Sequence, residues 1–131
     1  MSYGENTSPK IERVATAIVQ GIFLVHAKLG PGLLESIYEA ALAHEMSKAS
    51  LGFQRQMVLP VIYDGVKLDA GLRLDFLVED LVIVEIKSVE RHNTLFEAQV
   101  LTYLKLTGKR LGILANFNVE LIKNGIKRII L

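Results

Sequence analysis

At 131 residues the chain has the size of one domain with one hydrophobic core. Half of it is hydrophobic, which excludes a disordered chain, and its net charge of +1 excludes a globally basic nucleic-acid binder, so any such contact needs a local patch. Without Cys it has neither a disulfide framework nor a thiolate metal site, which suits a reducing cytoplasm, the expected location.

The opening MSYGENTSPK is polar and lacks the apolar segment of a secretory signal. Residues 1–9 read as a flexible tail and residues 10–131 as a single domain. Ile11, Val14, Ile18, Ile22, Val25 and Leu29 recur every three or four residues, which predicts an amphipathic helix with one buried stripe. The surrounding stretch is interrupted by Gln20, His26 and Lys28 and is too short to span a bilayer, so no membrane role is expected. Gly30-Pro31-Gly32 ends this helix, and Pro31 suits the first turn of a second one through LLESIYEAALAHEMSKAS.

From Phe53 the texture turns to strand. QMVLPVIY leads to Asp64-Gly65, a hairpin turn signal, and VKLDAGLRLDFLV runs back with Ala70-Gly71 as a bulge or bend. A turn near Glu79-Asp80 leads into LVIVEIKS, whose unbroken apolar run predicts a central strand covered on both faces. Thr94 and Glu97 fit a capping box that starts a helix through about Leu106. LGILANF reads as a buried strand, and residues 119–131 as a hairpin around Asn124-Gly125. The order ααβββαβ(ββ) predicts an α/β fold with a mixed central sheet flanked by helices.

Charged residues are rarely buried unless they are paired or bind something, so Asp75, Glu85 and Lys87 inside this apolar stretch ask for a reason. Strand alternation puts Glu85 and Lys87 on one face. Asp75 joins them only if strands 72–78 and 82–88 pair with an index sum of 160, which requires an odd loop such as Glu79-Asp80-Leu81. In that register the acids' Cβ atoms lie about 5 Å apart. Two charges there cost about 3 kcal/mol at an effective dielectric near 20. Either one acid keeps its proton or a cation offsets the pair. Lys87 is a partial offset and a divalent ion a better one, because Mg²⁺ takes one or two carboxylates plus waters. The bland alternative is a surface hairpin with a Glu–Lys pair. Glu35 shares a helix face with Gly32 and Tyr38, and its alternative role is to sit in the helix dipole's field. Gln99 shares a face with Phe96 and Tyr103, and is otherwise an ordinary exposed helix residue. His44-Glu45 begins like a zinc-protease helix, but Lys48 stands where the second ligand would be. Lys105, Lys109, Arg110, Lys123, Lys127 and Arg128 form either a basic rim or scattered solvated charges.

GPGLLESIYEAALAHE, the RLD around Asp75, VIVEIKSVE, EAQVLTYLKLTG and LGILANF together resemble the GxxExxY proteins of the PD-(D/E)XK nuclease superfamily, over most of the chain. The resemblance implies a restriction-endonuclease-like core in αβββαβ order, here with a C-terminal β extension. It implies that Asp75 and Glu85 bind Mg²⁺ or Mn²⁺ with the Ile86 carbonyl, that Glu35 adds a ligand directly or through water, and that Lys87 positions the attacking water. It assigns Gln99 to the site as well, and Arg73 and Tyr38 to substrate phosphate. Two positions depart from the pattern: Leu74 replaces Pro, and Phe96 stands where His is frequent. The expected activity is metal-dependent hydrolysis of nucleic acid, with DNA favoured. The rivals are a nuclease-fold module that binds nucleic acid or a partner protein with little or no chemistry, and a structural homodimer suggested by the apolar content.

Overall fold

The computed structural model of the chain describes residues 7–131. Its elements are α1 (Pro9–Leu29), α2 (Glu35–Lys48), β1 (Phe53–Tyr63), β2 (Val66–Val78), β3 (Val82–Lys87), α3 (Thr94–Thr107), β4 (Leu111–Asn116) and β5 (Ile126–Ile130), with a 3-10 turn (Ile122–Gly125) before β5. The strands lie side by side in chain order. All neighbours are antiparallel except β3 and β4, which are parallel and joined through α3. The molecule is α/β with a mixed five-stranded sheet, as its pattern of elements predicts.

Alternation along β3 builds two cores. Val82, Val84 and Ile86 face α1 and α2, where Ile18, Ile22, Leu42 and Met46 meet them. Ile83 faces the other way and packs with Leu74 and Leu77 against Tyr103 and Leu104 of α3. Each fully buried aliphatic side chain contributes about 1.5–3 kcal/mol, so a strand buried on both faces is the natural spine of the sheet. Helix α3 lies very close to β4: a Cβ at Gly112 would stand 2.4 Å from Cγ1 of Val100, so only glycine fits there.

Local chemistry sets the boundaries. Ser8 caps α1 by accepting from Ile11 N, Pro9 occupies the first turn, and Thr7 donates to Glu12. The chain is therefore engaged from Thr7 onward rather than after residue 9, and the rest of the expected tail, residues 1–6, lies outside the described residues. Leu29, the last member of the expected stripe, is exposed one turn beyond buried His26, whose ring bonds Val119 O at 2.7 Å.

Helix α2 begins at Glu35, not Pro31. Gly30 and Gly32 both have positive φ, at 68° and 97°, which breaks any helix through them. The expected capping box of α3 does not form. Asn93 is the cap, accepting from Leu95 N at 2.9 Å, and Glu97 pairs with His92 instead. Asp64-Gly65 is a two-residue turn with both φ positive, and the pairing breaks where Val61 alone faces residues 68–70, so the extra residues of the bulge lie on β2 next to Gly71, as expected. The expected C-terminal hairpin is a 3-10 turn and one strand: Gly125 packs so close to Asn116 O that a Cβ there would lie 2.1 Å away, residues 119–121 form no strand, and β5 pairs with β4 instead. No helix among the described residues is long and apolar enough to cross a membrane.

Candidate active site

The loop between β2 and β3 is the three residues Glu79-Asp80-Leu81, with Glu79 and Asp80 at positive φ. Pairing then runs Val78↔Val82, Leu77↔Ile83 and Phe76↔Val84, each with an index sum of 160. That is the register the acids need. Beyond Phe76↔Val84 the two strands part, and Asp75 and Glu85 stand in the fork. Their side chains replace the missing ladder bonds. Asp75 N donates to Glu85 Oε2 at 2.7 Å, and Ile86 N donates to Asp75 Oδ2 at 2.7 Å. Each carboxylate thus spends one oxygen on backbone and keeps a second. Glu85 Oε1 has no hydrogen-bond partner among the described residues, and Asp75 Oδ1 accepts from Gln56 Nε2 at 3.3 Å.

Burial and mutual repulsion make this pair reluctant to ionise twice. Desolvation, then the Asp75 charge, push the Glu85 carboxyl up to about 8. Desolvation also raises Asp75, against the opposing effect of the Ile86 N–H. Beneath them lies buried Tyr103, pushed up to about 12 by burial and by the two acids.

Lys87 follows Glu85 by two residues on the face toward α3. Its ammonium sits 4.7 Å from the centre of the Phe96 ring and donates to Gln99 Oε1 at 3.5 Å. Phe96 therefore serves as a cation–π seat for the lysine. The Lys87 charge also acts favourably on Asp75, Glu85 and Glu35, although no ion pair joins them. Asp75, Glu85, Lys87 and Gln99 thus converge as the sequence suggests.

The remaining expected residues divide. Glu35 is raised by desolvation and feels the charges of Lys87, Asp75 and Glu39, with no hydrogen bond or ion pair to any of them. Among the described residues, no three His, Cys, Asp or Glu side chains are close enough to hold a metal ion. The donor set still fits Mg²⁺ or Mn²⁺, because Glu85 Oε1 is unshared and Asp75 Oδ1 is shared only with the Gln56 amide at 3.3 Å, and two such carboxylate oxygens completed by water satisfy an ion that keeps much of its hydration. Arg73 is exposed and makes no contact with the acids. Tyr38 is not available to substrate: it is fully buried, stacks on Phe117 at 4.5 Å, donates to Gly30 O and accepts from Leu33 N. Its hydroxyl braces the loop before α2. Of the two readings of the C-terminal cations, dispersal fits better: Lys109 pairs with Asp80, Arg128 with Glu12, and Arg110 bonds Leu131 O.

Three neighbours were not evident from sequence. Glu39, buried, accepts from Arg55 Nε and Nη2 at 3.2 and 3.1 Å and from Gln56 Nε2 at 2.7 Å. The only clue was that Glu39 follows Glu35 by four residues, on the same helix face. Nothing in the strand pattern marked Arg55 or Gln56.

The helical layers and the mixed sheet, with paired acids where two strands part, are those of a restriction-endonuclease-like fold. The description of the PD-(D/E)XK nuclease superfamily matches residues 12–129, and the chain belongs to that superfamily. Comparison with curated proteins and with solved structures yields no match.

Proposed function

We propose that this protein is a divalent-metal-dependent phosphodiester hydrolase acting on nucleic acid, with DNA as the favoured substrate, and that it belongs with the GxxExxY branch of its superfamily. One observation supports the reading: two acids in a strand fork each have one oxygen not spent on backbone, that of Asp75 shared only with the Gln56 amide, while a lysine from the strand of Glu85 stands beside them. Asp75 and Glu85 would hold Mg²⁺ or Mn²⁺, with the Ile86 carbonyl completing the protein ligands and Glu35 reached through water. When bound, that ion supplies charge stabilisation of the phosphate under attack. Lys87, held between the Phe96 ring and the Gln99 carbonyl oxygen, orients the attacking water by hydrogen bonding. Gln99 acts through Lys87 by limiting its rotamers. Arg73 lies two residues before Asp75 and is exposed, so it can reach a phosphate farther along the strand.

The test is cleavage of single- and double-stranded DNA and RNA with Mn²⁺. Lys87→Ala is expected to lose at least about a hundredfold in rate, the range of a positioned acid–base group, while still binding Mn²⁺ by calorimetry. Asp75→Ala is expected to lose both. Cleavage that survives both substitutions belongs to a contaminant and ends the enzyme reading. Metal binding and nucleic-acid binding without cleavage would favour the module, a reading that the near-neutral charge and the dispersed cations support.

A further inference from the structure

Opposite Asp75 the sheet contains an anomaly. Strands β1 and β2 pair with an index sum of 131 from Phe53↔Val78 through Arg55↔Phe76, and again from Met57↔Leu74 through Pro60↔Gly71. The register is the same on both sides, so no residue is inserted. Yet Gln56, which this register sets across from Asp75, is unpaired and has φ 51 in mid-strand. The left-handed region is uncommon for residues other than Gly, Asn and Asp and costs a side chain such as glutamine real free energy. Neither the register nor a turn requires it here. Such an outlier beside a functional site is a reason to ask what the distortion achieves.

It brings the Gln56 amide between two acids. Nε2 donates to Glu39 Oε1 at 2.7 Å and to Asp75 Oδ1 at 3.3 Å. The amide's orientation follows from its neighbours, since turning its oxygen toward two carboxylates would set acceptor against acceptor. Glu39 is anchored in turn: buried on the inner face of α2, it receives Arg55 through Nε and Nη2, and Arg55 lies 5.9 Å over the Phe76 ring. Ile86 N holds the other oxygen of Asp75. Both oxygens of Asp75 are therefore tethered, one by the central strand and one by a relay from α2 through a distorted residue of β1.

We propose that Gln56 is a positioning residue, and that the Glu39–Arg55 pair holds its amide so that Asp75 presents Oδ1 in one orientation to a cation in the fork. The role of Asp75 toward a cation rests on the function proposed above; the tethering of its carboxylate does not. The backbone strain at Gln56 is then retained for function rather than for stability, and the two are separable by mutation.

Gln56→Gly accepts the left-handed backbone and removes the amide. Its metal-free melting temperature is expected to equal or exceed that of wild type. Amide hydrogen exchange at Ile86, whose N–H bonds Asp75, is expected to accelerate about tenfold, while exchange at Val84 and Ile113 stays unchanged. Mn²⁺ affinity by calorimetry is expected to weaken about tenfold. Glu39→Gln, which leaves Gln56 in place but weakens its anchor, is expected to accelerate Ile86 exchange as well, by a smaller factor. Unchanged exchange at Ile86 in Gln56→Gly would overturn the proposal, and so would a lower melting temperature with faster exchange throughout the sheet, because that marks a purely structural residue. If wild-type protein binds no Mn²⁺, the reading of the fork as a metal site fails, and the exchange result still decides whether Gln56 positions Asp75.

Discussion

Glu85 carries the sharpest consequence at the scale of single residues. Its carboxyl is raised from an ordinary 4.5 to about 8, so the folded chain keeps a proton that the unfolded chain releases between those values. The sign follows: without metal, this contribution to stability is full below about 4.5 and is lost as pH rises through 8. Asp75 is raised too and acts in the same direction. The metal-free melting temperature should therefore fall between pH 5 and pH 9. Glu85→Gln, which mimics the protonated acid, should flatten that fall and be the more stable protein at pH 9, as thermal melts across pH would show. Stabilisation by Mn²⁺ should have the opposite slope, since the ion needs the ionised ligand and displaces the proton. A wild-type melting curve that is level across this range would mean that Glu85 titrates normally.

At the scale of elements, the loop 79–81 decides whether the site exists. Three residues between Val78 and Val82 set the parity that aligns Asp75 with Glu85. Deleting Asp80 leaves a two-residue connection and shifts β3 by one position. Either Glu85 turns to the α1–α2 face or Val82, Val84 and Ile86 leave it, so the deletion should unfold the protein or abolish Mn²⁺ binding. Asp80→Gly keeps the length and suits the positive φ of 56°. It gives up only the exposed pair with Lys109, and should stabilise by roughly 1 kcal/mol in a denaturant melt. The same parity in opposite outcomes tests the register more directly than substitution of either acid. Helix α3 is the second deciding element. Its cap at Asn93 and its tight seat on Gly112 hold Phe96 and Gln99 where they meet Lys87.

For the whole molecule, charge is the relevant property. A net charge of +1 is combined with cations drawn into pairs at the surface, so no broad positive field surrounds the fork. On the proposed function, Lys87, exposed Arg73 and Lys127, which lines a cavity of about 210 Å³ together with Lys87, are the cations that would meet a backbone phosphate. Binding of duplex DNA to the metal-free protein should then depend only mildly on salt. About three phosphate contacts give a slope near −3 in log K against log salt, whereas six to ten contacts would give a much steeper one. Fluorescence anisotropy across a salt series would measure it, and a steep slope would reveal a basic surface that these ion pairs do not suggest.

Sequence by itself determined the class of fold and the chemical identity of the fork. Apolar runs marked β3 and β4 as buried strands, Asp64-Gly65 marked its hairpin, and the parity rule stated in advance which loop length would align Asp75 with Glu85. These succeed because period, turn chemistry and strand register are local properties that a chain carries in its order of residues. Boundaries at Gly30, Asn93 and Asn124 were legible only in part, because caps and turns are settled by which donors the packed neighbours leave unsatisfied. The family resemblance assigned Tyr38 to substrate and the fold makes it a brace, since only packing tells a buried phenol from an exposed one. The relay from Glu39 through Gln56 to Asp75 was decided by tertiary structure alone. Its three members come from a helix and two strands, and what joins them is a single left-handed residue that no pattern of polar and apolar positions announces.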